Sequence, residues 1–345
     1  MFKIKFDAMV KVHAAVLMLL CTVVKGNPLR AFNNPLNGNT IDLFLVAEES
    51  NSQMSNLEFG LLKTALNNIA IETNPVGSSP YFGVYFFGAT TQLHVVAPFK
   101  TSSASMVKTY LDQKQYTMTQ SNPSTLVSAL TLVESDCALH CRQSTPRVTV
   151  VLSTAPSSSA EVAVRQLENN RGMIVIFVGI GSGANAAVVN QLASHPARFY
   201  ALRVGSMYEL VLSAQHIGSV AADVPRLLSI NQPLSISSTT SGVYYIVQLN
   251  TFPYVTMNDT IVMFASNCPN CQVFGSLSEP NPISENTVPN LNFRSFYAGA
   301  GFPNTLYYFR IPRNTARFFV SLRSNGMSAV SILFDIFTLP EMLST

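Results

Sequence analysis

The chain has 345 residues, of which 48% are hydrophobic and only 11% charged, with a formal net charge of +3. That length holds two domains and a sizeable core. No basic run or stripe of the kind that binds nucleic acid is visible, and so small a charge on 37.5 kDa names no partner.

Lys3, Lys5 and Lys11 precede an apolar run at 14–24 that is too short to span a bilayer. With Val24-Lys25-Gly26 at the cleavage position, residues 1–26 read as a secretory signal peptide. The other reading, a buried N-terminal helix, fits the charge-then-apolar order less well. No later stretch is long and apolar enough for a membrane span. The apolar run 334–339 is interrupted by Asp335 and meets Pro340, so it is no lipid-anchor tail. Low charge is usual in a secreted chain rich in Ser, Thr and Asn. Removing the signal removes Cys21 and leaves Cys137, Cys141, Cys268 and Cys271, an even set that suggests disulfides in an oxidising compartment.

Residues 27–40 form a lead-in loop rich in Asn, Pro and Gly. Residues 41–47 are a short apolar run suited to a strand buried on both faces. It stops at Glu48-Glu49-Ser50-Asn51-Ser52, an oxygen-rich loop where open parallel sheets bind ligands. An amphipathic helix follows at 55–73, then strands at 81–87 and 92–96 joined by a turn, then helices at 103–114 and 123–134. A second buried strand, 148–152, ends in Ser153-Thr154-Ala155. A helix at 158–169 is closed by Gly172. A third buried strand at 173–180, a helix at 185–194, a strand at 199–204 and a helix at 206–217 complete the series. Such alternation predicts a parallel sheet covered on both faces.

Past Asp223 the pattern changes. Apolar runs at 243–249, 260–265, 272–274, 305–311, 316–321 and 329–337 are separated by Asn, Pro and Gly, with no convincing helix. This predicts an all-β sandwich or jelly roll over 229–340, after an α/β domain over 41–222 and a boundary near 226–232.

Three segments carry a family resemblance: 42–52, 147–155, and 172–200 with its Val-Gly-Ile-Gly loop. In order and spacing, residues 42–222 resemble a von Willebrand factor A domain, which implies a doubly wound, mostly parallel, Rossmann-like sheet. The family carries Asp-x-Ser-x-Ser at the first segment, part of a metal-ion-dependent adhesion site. Here Ser50 and Ser52 match and Glu48 replaces Asp. The family's Thr at the next helix start falls on Ser124 or Thr125, and its Asp after Thr154 is Ala155, followed by Pro156. With a carboxylate missing, the expectation is no magnesium binding tighter than about millimolar, and otherwise no cofactor. The plainer reading has Ser50 and Ser52 capping the next helix and Glu48 facing solvent.

Gly179, Gly181 and Gly183 suggest a nucleotide loop, but Ala184 stands where the last glycine of that fingerprint belongs and Arg203 where its acid belongs. Cys268-Pro269-Asn270-Cys271 lies between β runs, which favours a local disulfide clip over a redox pair. Cys137 and Cys141, four residues apart, form the second expected bridge. Zinc held by both pairs with His140 would require the two domains to bring them together. Asn258-Asp259-Thr260 is a glycosylation sequon. His94, His140, His195 and His216 form no evident triad with any Ser and Asp. The expected function is a secreted, extracellular, non-enzymatic adhesion or matrix-binding protein with a protein or matrix ligand; the alternative is a structural scaffold with an inert A-like domain.

Overall fold

A strand buried along its whole length must sit inside a sheet covered on both faces, and β1 (Asp42–Glu48) is such a strand. The structure is a computed structural model that describes residues 40–49, 54–74, 79–88, 94–116, 124–142, 145–227, 234–237, 243–249, 260–266, 272–280, 282, 290–299, 302–323 and 329–338. β2 (Tyr81–Phe87) and β4 (Arg147–Ser153) pair with β1 in parallel. β5 (Ile174–Ile180) and β6 (Ala201–Val204) extend the sheet in parallel, and β3 (His94–Thr101) closes the other edge antiparallel. The order is β3-β2-β1-β4-β5-β6, so the three strands expected to share one sheet are neighbours in it.

The helices of this layer are α1 (Asn56–Glu72), α2 (Ala104–Gln113), α3 (Ser124–His140), α4 (Glu161–Arg171), α5 (Ala186–Leu192), α6 (Ala197–Tyr200) and α7 (Met207–Ala222). Ser55 caps α1 in a reciprocal capping box with Glu58. Gly172, at φ 62°, closes α4 as expected. α3 runs past its expected end because Cys137 continues the buried stripe of Leu126, Ala129, Leu130 and Val133. The expected strand at 199–204 begins instead as the turn α6 behind Pro196, with Tyr200 buried, and only 201–204 pair in the sheet.

At the amino end of β1, Asp42 is fully buried beneath Arg142. The Arg142 backbone N–H donates to Asp42 Oδ2 at 2.7 Å, and its Nε and Nη2 donate to Oδ1 at 2.8 and 2.5 Å. The same guanidinium donates to Ser79 O and Ile41 O and stacks 4.0 Å from the Tyr81 ring centroid. Burial pushes the Asp42 carboxyl up from its ordinary value; the hydrogen bonds and charge of Arg142, then the charge of Arg147, pull it back down. Arg147 ties two helix ends together, donating to the carbonyls of Arg142 and Arg171 at 2.9 and 2.8 Å.

Beyond α7 the chain is β throughout the described residues. β12 (Asn290–Gly299), β13 (Phe302–Ile311), β10 (Thr260–Ser266), β15 (Ala329–Thr338) and β8 (Leu234–Ser237) form one sheet in that order. β11 (Gln272–Ser276), β14 (Arg317–Arg323), β9 (Val243–Gln248) and β7 (Arg226–Leu227) form the other. The sheets meet at Phe309 and Phe318, whose rings lie 5.2 Å apart. A side chain at Gly275 would come within 2.6 Å of Phe318, so that position admits only glycine without rearrangement. The short strands β7 and β8 and the long β12 lie where sequence patterning predicted none.

Leu36–Thr345 is one compact unit. Arg317 of β14 reaches across to Glu168 of α4 at 3.0 Å, where Glu168 also accepts from Ser194 Oγ at 2.5 Å. Arg198 pairs with Glu279, and Ile246 and Phe319 join the hydrophobic core of the parallel sheet. Among the described residues no helix is long and apolar enough to cross a membrane.

Candidate functional site

β1 and β4 run in parallel with Ala47 opposite Leu152, so Glu48 lies beside the end of β4. Strand ends leave backbone N–H groups that need acceptors. Glu48 supplies one. Its Oε2 accepts from Ser153 Oγ (2.8 Å), Thr154 N (2.7 Å), Thr154 Oγ1 (3.0 Å) and Ala155 N (3.1 Å). The Glu48 side chain is therefore buried, at 3% exposure, and does not face solvent. Charge-assisted bonds of this kind are the stronger class, and here they clamp the carboxyl ends of two central strands together.

Glu49 points into a second cluster. Its backbone N–H donates to Phe87 O at 2.6 Å, and its carboxylate meets Lys114 Nζ at 2.9 and 3.0 Å. Gly88 takes φ +105°, and a Cβ there would stand 2.7 Å from Glu49 O, so glycine is required on both counts. The Gly88 N–H donates to Thr125 Oγ1 at 2.7 Å. Of the two hydroxyl residues offered by the sequence, Thr125 thus works inside the face, while Ser124 opens α3. Tyr116 donates to Met54 O at 2.6 Å, and its hydroxyl is pushed up by burial and then by the charges of Glu49 and Glu58.

Packing accounts for the glycine loop after β5. A Cβ at Gly179 would meet Ala184 and Val189 at 2.7 Å, and one at Gly183 would stand 3.1 Å from Thr154 O. Gly181 adopts φ +79°. Gly179 and Gly183 thus lie against protein atoms, whereas a Cβ at Gly181 would meet nothing within 4 Å and the positive φ is what calls for glycine there.

Ser50, Ser52, Asn258, Cys268 and Cys271 lie outside the described residues. Ser55 caps α1, so the cap is not at Ser50 or Ser52. Cys137 and Cys141 are joined, with Cα atoms 4.6 Å apart, in the last turn of α3. The described donors do not fit a divalent cation. Glu48 is taken up by four internal donors, Ala155 offers an N–H in place of a carboxylate, and Glu49 is paired with an ammonium. Among the described residues no three His, Cys, Asp or Glu side chains converge. Sequence reasoning missed Lys114 and the donor role of Ser153 and Thr154. The two hydroxyl residues closing a buried strand were the available signal for the latter.

A family model described as the von Willebrand factor type A domain matches residues 42–211. A comparison with curated proteins found no match. Among solved structures, the chain is similar to proximal thread matrix protein 1 from the mussel byssus, with a TM-score of 0.46 and 16% identity over 58% of this chain and 50% of that one. It is also similar to the conserved hypothetical protein BatB from Bacteroides thetaiotaomicron (TM-score 0.40, 13% identity, 53% of this chain and 98% of that one). A von Willebrand factor type A protein from Catenulispora acidiphila gives a TM-score of 0.44 at 11% identity, over 87% of this chain and 63% of that one. The chain spans about half the length of the mussel protein. Strand order, helical layers and the family match agree: over residues 42–211 this chain is a von Willebrand factor type A domain.

Proposed function

We propose that the chain is a secreted, non-enzymatic adhesion or matrix-binding protein whose A domain engages an extracellular protein through the carboxyl-end face, without depending on a metal ion. The observation that carries this reading is the Glu48 carboxylate, which four donors of β4 and its following loop hold in place. That clamp gives the face a fixed shape with no cation. Calorimetric titration of the secreted chain with magnesium and manganese tests it: no binding tighter than about millimolar is expected. Restoring the family pattern with Glu48→Asp and Ala155→Asp together should tighten magnesium binding at least about tenfold. Tight binding by the unmodified chain would overturn the reading. On the partner side, capture by immobilised matrix proteins should survive a chelator and be lost in Ala155→Arg, which places a bulky charge on the face.

A structural scaffold with an inert A domain is the second reading. The Arg317–Glu168 and Arg198–Glu279 pairs favour it, because they join the β layers to the parallel sheet as a continuous body. In that case Ala155→Arg would leave assembly into the matrix unchanged.

A further inference from the structure

Three strands of the parallel sheet, β1, β4 and β6, end at the carboxyl-end face, and α1, α4 and α7 each return from it. The second residue of each of these helices is a large apolar side chain left in solvent. Leu57 is 65% exposed, Val162 69% and Tyr208 60%. Leu212, one turn beyond Tyr208, is exposed as well. Single exposed apolar residues are ordinary on a protein surface. These three differ because they hold the same position in three helices. Helical side chains tilt toward the amino end of their helix, and here that end is the face.

Each of the three stands beside a carboxylate: Glu58, Glu161 and Glu209. These acids accept from neutral donors, Ser55 N at 2.7 Å, Gln191 Nε2 at 2.5 Å and Gly205 N at 2.5 Å, so their charge is not cancelled. The cations of the face are committed or apart. Lys114 holds Glu49, Lys63 donates to Lys114 O, and Arg203 stands on the edge strand β6. The rim is thus apolar and negative, on a chain whose formal net charge is +3.

We propose that Leu57, Val162 and Tyr208 anchor a docking surface around the carboxyl-end face, and that the protein it takes presents apolar side chains flanked by Lys or Arg. The proposal rests on the metal-independent reading above and names the chemistry of its partner. Apolar anchors supply contact area at the centre of such an interface, and the neighbouring acids select the sign of the partner. A second copy of this face would bring like charges together, so a basic protein is the better occupant.

Fluorescence anisotropy with the full secreted chain tests this, using three short labelled peptides: alternating Leu and Lys, alternating Ser and Lys, and alternating Leu and Glu. The Leu/Lys peptide should bind at least about tenfold more tightly than either control. Leu57→Ser/Val162→Ser/Tyr208→Ser should lose that preference, and Tyr208→Ser alone should reduce it. If the triple variant is unfolded, the single variant decides. Leu139→Ser, at the far end of α3 and 75% exposed, should keep the preference. Glu161→Gln/Glu209→Gln, which retains both acceptors, should weaken Leu/Lys binding about threefold. Equal binding of the Ser/Lys peptide would mean that charge alone acts, and equal binding of the Leu/Glu peptide that charge is not read. A preference that survives the serine variants would place the contact elsewhere. Each of these outcomes overturns the proposal. Capture by immobilised matrix proteins separates it from the reading beneath. If the triple variant is captured like the unmodified chain while Ala155→Arg is not, the anchors are wrong and the face still binds. If both are captured, the reading of the face falls too.

Discussion

Asp42 and Glu48 stand at opposite ends of one strand, and both are buried, but they are held by opposite means. At the amino end the acid faces a guanidinium, and charge meets charge. At the carboxyl end the acid faces hydroxyls and backbone amides, all formally neutral. The difference follows from what each end must terminate. Near Asp42, the end of α3 delivers Arg142 to the start of the sheet, and a fixed cation suits a buried anion. Near Glu48, β4 ends in N–H groups, and a carboxylate suits several donors at once. The ion pair should therefore fail abruptly when one partner is lost, and the hydrogen-bonded cluster should fail by degrees.

The largest effect should come from Arg142→Ala, which strands the Asp42 carboxylate. We expect a loss of about 3–5 kcal/mol in chemical denaturation, with much of it recovered in Arg142→Ala/Asp42→Asn. If the single and double variants are equally unstable, the amino end is not held by charge pairing.

A third acid sharpens the contrast. Asp223, at the end of α7, has its carboxyl raised from 3.8 to about 7 by burial. A raised carboxyl means that the folded chain holds its proton where the unfolded chain has lost it. Stability from this group is full below the unfolded value and is lost as pH rises from about 4 through about 7. The loss is on the order of 4 kcal/mol at most, and Asp223→Asn should flatten the profile between those limits. A profile that rises over the same interval in both proteins would show that other acids dominate.

At the carboxyl end, Glu48→Ala should cost about 2–3 kcal/mol, because the buried donors lose their acceptor. Glu48→Gln should cost only about 1 kcal/mol, because a neutral oxygen still accepts. Equal costs would mean that the charge matters as much here as at Asp42. The smallest change should come from reducing the Cys137–Cys141 bridge, which closes so short a loop that about 2 kcal/mol is an upper figure. The same denaturation assay with and without a reductant checks it.

The parallel sheet was legible because the runs at 41–47, 148–152 and 173–180 are apolar on both faces and end in polar loops. Only strands covered on two sides read that way. β12 was not legible: Asn290, Asn292, Arg294 and Ser295 interrupt its apolar residues, and a register shift between Leu291 and Ser295 breaks the simple alternation. At the face, sequence could place Glu48 at a strand end but not say which way its carboxylate turned. That depended on β4 lying alongside and on its unsatisfied amides. Lys114 was hidden for a related reason, since its partner Glu49 lies 65 positions earlier.

The clamp at Glu48 also sets an order of assembly. Its partners Ser153 and Ala155 come 105 and 107 positions later in the chain, and Arg142 comes 100 positions after Asp42. During synthesis at about 5–20 residues per second, the first strand emerges with both terminal carboxylates bare for roughly 5–20 seconds before either partner segment exists. Both acids keep that early strand charged at its two ends while its middle is wholly apolar. A nascent segment flanked in this way is guarded against pairing with a neighbouring chain until the residues that bury it have left the ribosome.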